Sequence, residues 1–193
     1  MEARPRSRWR RLWDWLLAAA ILGLLILLAA RLDPAEMRNL EGRVIVNDGD
    51  SITLGAERIR LLGIDAPEFD QICRSNGADY PCGKRARESL SALIGGRQVL
   101  CSGWERDKYG RLLATCTAGG TDLNRGQVEA GWAVAYGDYE AEEEAARRKS
   151  VGLWAGSFER PRDWRAMHGG MAESKHATPG GILDWLRRTL RLF

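Results

Sequence analysis

The chain has 193 residues, room for one domain of ordinary size plus tails, and 45% hydrophobic content excludes a disordered polyelectrolyte. Its formal net charge is +3, but Lys plus Arg against Asp plus Glu runs 7 to 5 over residues 1–41, 18 to 19 over 42–170 and 4 to 2 over 171–193. The central segment is therefore about neutral, which excludes polyanion binding by a global field and leaves only a local cluster to do it.

In chain order, a basic N-terminus (1–11) with Arg4, Arg6, Arg8, Arg10 and Arg11 precedes an uncharged run from Leu16 to Ala30. With the approach from Leu12 to Trp15, which tolerates the single acid Asp14, residues 12–30 suit a transmembrane signal anchor, since about 20 apolar residues span a bilayer. The arginines would hold the N-terminus in the cytoplasm. A signal peptide cleaved after Leu28-Ala29-Ala30 is the competing reading. Both readings export the rest of the chain, so the expected location is extracytoplasmic, anchored or secreted. Residues 31–41 read as a polar spacer.

Strand signals begin at Gly42. Arg43 to Val46 is followed by the Asp48-Gly49 turn, Ser51 to Leu54, and a strand from Arg58 to Ile64. Residues 70–82 read as loop. Gly83 to Ile94 is an amphipathic helix with Ala86, Leu90, Leu93 and Ile94 on one side, closed by Gly95-Gly96. Gln98 to Trp104 and Arg111 to Thr117 form a hairpin about Asp107-Lys108-Tyr109-Gly110. Asp122 caps a short helix to Ala130, and Ala141 to Ser150 is a charged helix with Leu153 and Trp154 as anchors beyond it. Strands first, with one helix inserted and helices after, predict an α+β domain over 42–168, built on a five-stranded antiparallel barrel. In the tail, 169–193, a basic amphipathic helix (Ile182, Leu183, Trp185, Leu186, Leu190) either lies on an anionic membrane surface or packs on its own domain.

The four cysteines lack metal-site spacing: there is no C-x-x-C and no nearby histidine. Two disulfides fit an exported domain. Three pairings exist, but a hairpin centred between residues 108 and 109 sets Cys101 opposite Cys116, which leaves Cys73 for Cys82.

Both histidines, His168 and His176, fall late in the chain, so serine–histidine and cysteine–histidine schemes are poor candidates. Chemistry must rest on carboxylates: Asp48 and Asp50 at one strand turn, Asp65, Glu68 and Asp70 at the end of another. Two strand ends can bring Asp50 and Asp65 together, and such hard oxygen ligands suit calcium or magnesium. Taken alone, an Asp-Gly-Asp turn is more often a hairpin corner. Arg60 and Arg111 supply the complementary charge, and a metal, two guanidinium groups and a further carboxylate are what phosphodiester cleavage needs. A structural salt-bridge network is the plain alternative.

Asp48-Gly49-Asp50-Ser51, the run from Arg60 to Glu68 (RLLGIDAPE) and Asp107-Lys108-Tyr109-Gly110-Arg111 occur in the order and approximate spacing of the staphylococcal nuclease (thermonuclease) family. The resemblance extends from about Gly42 to Trp154. It implies an OB-fold barrel with added helices that cleaves DNA and RNA with calcium and leaves 3′-phosphates. By that resemblance Asp50 and Asp65 look like calcium ligands through their side chains and Ala66 through its carbonyl. Glu68 resembles the residue that holds or deprotonates the attacking water. Arg60 and Arg111 resemble the phosphate-binding pair, and Lys108, Tyr109 and Tyr136 match positions that contact the nucleotide. Where relatives place a second tyrosine two residues after the Tyr136 position, this chain has Asp138. The resulting expectation is a monomeric calcium-dependent nuclease, with a non-catalytic nucleic-acid-binding module of the same fold as the alternative.

Overall fold

The structure is a computed structural model that describes residues 8–31 and 37–168, the side chains of the first segment only in part. The residues before 8, those from 32 to 36 and the tail helix expected after 169 lie outside it. The chain divides into two units, one ending at Glu36 and the other beginning at Met37.

In the first unit α1 runs over Arg8–Arg31. Among the described residues no helix is long and apolar enough to cross a membrane. The expected membrane anchor is therefore not shown.

The second unit contains β1 (Arg38–Gly42), β2 (Val44–Val46), β3 (Ser51–Leu54), β4 (Glu57–Leu61), β5 (Ile64–Asp65), β6 (Cys73–Ser75), β7 (Ala78–Tyr80) and α2 (Cys82–Ile94). These are followed by β8 (Val99–Arg106), β9 (Leu112–Ala118), β10 (Thr121–Asp122), α3 (Leu123–Glu129), β11 (Val134–Ala135) and α4 (Glu140–Lys149). A 3-10 turn, Gly152–Ala155, and α5 (Pro161–Met167) close it. The main sheet is ordered β1-β8-β9-β4-β3-β2, with β10 on β9. Its two ends, β1 and β2, are one run of chain interrupted only at Arg43, so the sheet curls back on itself. All its pairs are antiparallel except β4 with β9. This mixed α+β arrangement, a curled sheet plus helices, fits an OB-like fold.

The expected five-stranded antiparallel barrel is instead a curled seven-stranded sheet with one parallel pair, β4 with β9, and four further expectations are corrected. The folded unit starts at Met37, not Gly42: Arg38 to Glu41 read as spacer because only Leu40 is half-buried, yet they pair with β8 through backbone. The strand expected from Arg58 to Ile64 breaks at Leu62-Gly63, where Gly63 adopts a φ of 80°, and Ile64–Asp65 turns away to pair with β11. The 70–82 loop contains the β6–β7 hairpin about Asn76 and Gly77, both at positive φ, as an Asn-Gly turn requires. Helix α5 has no counterpart among the expected elements.

The core joins sheet to helices. Ile52, Ile59, Leu61, Val99 and Leu112 line the sheet's inner face, and Ala86, Leu90 and Ile94 recur every four residues on α2. Burying each large aliphatic side chain contributes about 1.5–3 kcal/mol. Helix α2 ends at Gly95 in the left-handed conformation, whose N–H donates to the Ser91 carbonyl. Asp122 caps α3 by accepting from the Arg125 N–H. Cys101 and Cys116 are register partners on β8 and β9 and form one disulfide; Cys73–Cys82 is the other, tying β6 to α2.

Two buried amides on α3 fix the strand ends that carry the acids. Asn124 Nδ2 donates to the carbonyls of Leu62 and Ala114, holding the end of β4. Gln127 Nε2 donates to those of Gly49 and Ala86, holding the turn before β3. Gly49 itself allows a close approach: a Cβ there would lie 2.7 Å from those of both Ala66 and Ala86.

Candidate active site

The turn between β2 and β3 divides its acids by task. Asp48 accepts from the Asp50 N–H and the Ser51 hydroxyl, so it folds the turn, and Asp50 points inward. The Asp50 carbonyl accepts from the Leu61 N–H at 2.8 Å, which fastens the turn to the end of β4. Arg60 stands on β4 opposite Ser51 and is 3% exposed. Its guanidinium forks: Nη1 donates to Asp50 Oδ1 at 3.0 Å and Nη2 to Asp65 Oδ1 at 2.8 Å. The Ala66 N–H donates to Asp50 Oδ2 at 2.8 Å, so the contact seen at Ala66 is through its N–H.

Burial pushes the Asp50 carboxyl well above its ordinary 3.8; Arg60 opposes that shift, Asp48 and Asp65 add to it, and the Ala66 N–H opposes it. Glu68, just past Pro67, is about one-third exposed and reaches the same cluster. Buried Gln71 holds this loop, accepting from the Glu68 N–H and donating to the Glu159 carbonyl.

Arg165 on α5 is the residue that sequence reasoning missed. Its Nη1 donates at 2.9 Å to both Asp65 Oδ1 and Glu68 Oε1, and Nη2 donates to Asp65 Oδ2 at 3.2 Å. Burial would lower its pKa, but the hydrogen bond and charge of Asp65, with Glu68, raise it above the ordinary value. It is therefore a permanent cation. The one available signal was Pro161, which opens α5 at a position where proline favours a helix start.

Arg111 sits at the mouth of the β8–β9 turn. Asp107 organises that turn, accepting from the N–H groups of Tyr109 and Arg111 through Oδ1 and from Arg111 Nε through Oδ2 at 2.6 Å. Burial works against the Asp107 carboxylate, but Arg111 outweighs it and holds the pKa below 3.8. Leu113 is the register partner of Arg60, so strand spacing and rise put the Cα atoms of Arg111 and Arg60 roughly 8 Å apart. Exposed Tyr109 lies under both Lys108 and Arg111, 4.9 and 5.3 Å from its ring centre. Tyr136 is 6% exposed, and its N–H donates to the Gly63 carbonyl. A cleft beside Asp65 is lined by Tyr136, Glu140, Arg160 and Arg162.

The structure thus brings Asp50, Asp65, Glu68, Ala66 and Arg60 together, with Arg165 added. Lys108, Tyr109 and Arg111 form a separate turn on a neighbouring strand. Among the described residues no group of three or more His, Cys, Asp or Glu is arranged to hold a metal ion; Asp50 Oδ1, both Asp65 oxygens and Glu68 Oε1 accept from guanidinium groups, and Asp50 Oδ2 from the Ala66 N–H. The donor chemistry nonetheless suits a hard cation. With all three acids ionised, three carboxylates face two arginines and one negative charge is in excess, and Arg165 Nη1 already marks a point equidistant from Asp65 and Glu68 oxygens.

The model of the family described as "Staphylococcal nuclease homologue" matches residues 58–156, beginning after Asp50 and ending before α5. The chain is 37% identical over 130 residues to "Succinoglycan biosynthesis protein ExoI" of Rhizobium meliloti, covering 63% of this chain and 68% of that one. It is 34% identical over 134 residues to an "Uncharacterized endonuclease" of Escherichia coli O157:H7, covering 63% and 82%. It is also 34% identical over 131 residues to "Staphylococcal-like nuclease CAN1" of Arabidopsis thaliana, covering 64% and 38%. With the family model spanning the run from Arg60 to Glu68 and the Asp107–Arg111 turn, the chain belongs to the staphylococcal nuclease homologue family.

Proposed function

We propose that the chain is a calcium-dependent nuclease that hydrolyses phosphodiester bonds of DNA or RNA and acts as a monomer. The observation that carries this reading is the fork of Arg60 across Asp50 and Asp65, with Glu68 on the same cluster. Asp50, Asp65 and the Ala66 carbonyl would hold the ion, which when bound neutralises charge on the phosphate and polarises it. Arg60 and Arg111 place positive charge on phosphate oxygens that become more negative as the bond to phosphorus forms. Glu68, the most exposed of the three acids, orients the attacking water or takes its proton; the water oxygen bonds to phosphorus as a P–O ester bond breaks. Lys108, Tyr109 and Tyr136 contact the nucleotide.

The location belongs to the same proposal. An arginine-rich N-terminus before an apolar run supports an anchor or export signal, and two disulfides suit an oxidising compartment. The domain then works on the extracytoplasmic side, anchored or secreted, and the basic amphipathic pattern of the tail would supply either a second membrane contact or packing on its own domain.

One observation favours a second reading, a nucleic-acid-binding module without catalysis: the carboxylate oxygens are taken up by arginines. Digestion of single-stranded DNA by the full chain, in calcium and in chelator, separates the two. Calcium-dependent cutting that falls by roughly 100- to 10,000-fold in Glu68→Gln and 100- to 1000-fold in Arg111→Ala is expected. No cutting by the unmodified chain with any divalent ion would leave the binding module.

A further inference from the structure

Helix α5 meets the carboxylate cluster from outside the stretch matched by the family model, and what docks it is charge. Of its seven residues only Pro161 is buried; Trp164 and Arg165 are half-buried and the others exposed. So short a helix is not stable by itself in water. The segment leading into it is firmly held by contrast. Ser157 exchanges backbone hydrogen bonds with Arg74, the Glu159 carbonyl accepts from Gln71, and Arg160 pairs with buried Glu143 at 2.9 Å. Beyond that fixed point, Pro161 is buried and Trp164 half-buried, and the ion pairs that tie α5 to the domain among the described residues are those of Arg165 with Asp65 and Glu68.

Those are two of the acids the nuclease reading needs for the ion and the water. One guanidinium nitrogen lies 2.9 Å from an oxygen of each, near the 2.3–2.6 Å at which calcium takes such oxygens. Arg165 and the ion both call on the carboxylate of Asp65, and Arg165 also holds Glu68 away from the water, so the two cations compete for the same acids. Exchanging Arg165 for a divalent ion also brings the cluster of Asp50, Asp65, Glu68 and Arg60 to electrical neutrality.

We propose that Arg165 is a resident counter-cation that positions Asp65 and Glu68 until a divalent ion displaces it, and that its displacement undocks α5. This rests on the calcium-dependent nuclease reading. Ion binding and α5 docking become one equilibrium, so the apparent ion affinity is set partly by a helix outside the matched stretch.

The test uses the full chain in mild detergent, titrated calorimetrically with calcium as wild type, Arg165→Gln and Arg165→Lys, with hydrogen exchange of residues 161–167 followed with and without calcium. Arg165→Gln is expected to bind calcium at least tenfold more tightly, and Arg165→Lys to stay nearer wild type. Calcium is expected to raise exchange over 161–167 in the wild type to the level that Arg165→Gln shows without it, leaving β4 protected. Calcium binding with exchange over 161–167 unchanged, or with no gain in affinity in Arg165→Gln, overturns the inference while the nuclease reading stands. Absence of calcium binding and of DNA cutting in all three proteins overturns both.

Discussion

Replacing Arg60 by alanine tests the central ion cluster, and its cost can be worked from the contacts. The side chain is almost wholly buried and forks to two carboxylates that are 4% and 1% exposed. Removing one partner of a buried ion pair typically costs about 3–5 kcal/mol, because the remaining charge stays buried without compensation. Asp65 keeps Arg165, so the uncompensated group is Asp50, left with the Ala66 N–H. For a domain of roughly 130 residues, an unfolding entropy of about 2.1 cal/mol/K per residue turns 3–5 kcal/mol into a Tm loss of about 11–18 °C. Adding Asp50→Asn should return about 1–3 kcal/mol, since a neutral amide replaces the stranded charge. The deficit should also depend on pH. Arg60 is what opposes the upward shift of the Asp50 pKa, so in Arg60→Ala that pKa rises further, ionisation opposes folding more than in the wild type, and the deficit shrinks as pH falls toward the ordinary 3.8. Circular dichroism melts of the wild type, the single and the double variant measure all three. A loss below about 1 kcal/mol, or a double variant no more stable than Arg60→Ala, would refute the placement of Arg60 between two ionised acids.

Asp107 shifts in the opposite direction to Asp50, so that its ionised form favours folding. Its folded pKa is depressed, so its contribution is full above the ordinary 3.8 and is lost as pH falls through the depressed value; melts should show the gap between wild type and Asp107→Asn closing below about pH 4. Reducing the Cys101–Cys116 bridge, whose separation is 15 residues, should lower stability by about 3 kcal/mol. The corresponding Tm loss is about 10 °C, read with and without a strong reductant in a Cys73→Ser/Cys82→Ser variant that keeps only this bridge, and an unchanged Tm would count against a stabilising bridge.

How much of this was legible from sequence depends on the range of the signal. The hairpin about Asp107–Gly110 placed Cys101 near Cys116, and a bulge between Gly103 and Glu105, which the sequence did not reveal, shifts the register by one from the turn so that the two are direct partners. Helix α2 carried apolar periodicity and an end signal in Gly95, and α3 a cap signal in Asp122. The convergence of Asp50 and Asp65 followed from placing acids at two strand ends. The misses share another cause. β1 is an edge strand held by backbone pairing, so its polar residues show no alternation. α5 has one buried residue and thus no hydrophobic face to detect, and the link of Arg165 to Asp65 spans 100 residues. The break at Gly63 looked continuous because Leu61 and Ile64 are both buried, although they serve different sheets.

The most direct measurement on the proposed site is anomalous diffraction from crystals of the full chain soaked in manganese as a calcium surrogate. One strong peak within about 2.5 Å of Asp50 and Asp65 oxygens is expected, with Arg60 still beside them. A cluster that keeps Arg60 and Arg165 on all three acids at saturating ion, with no peak among them, would contradict it.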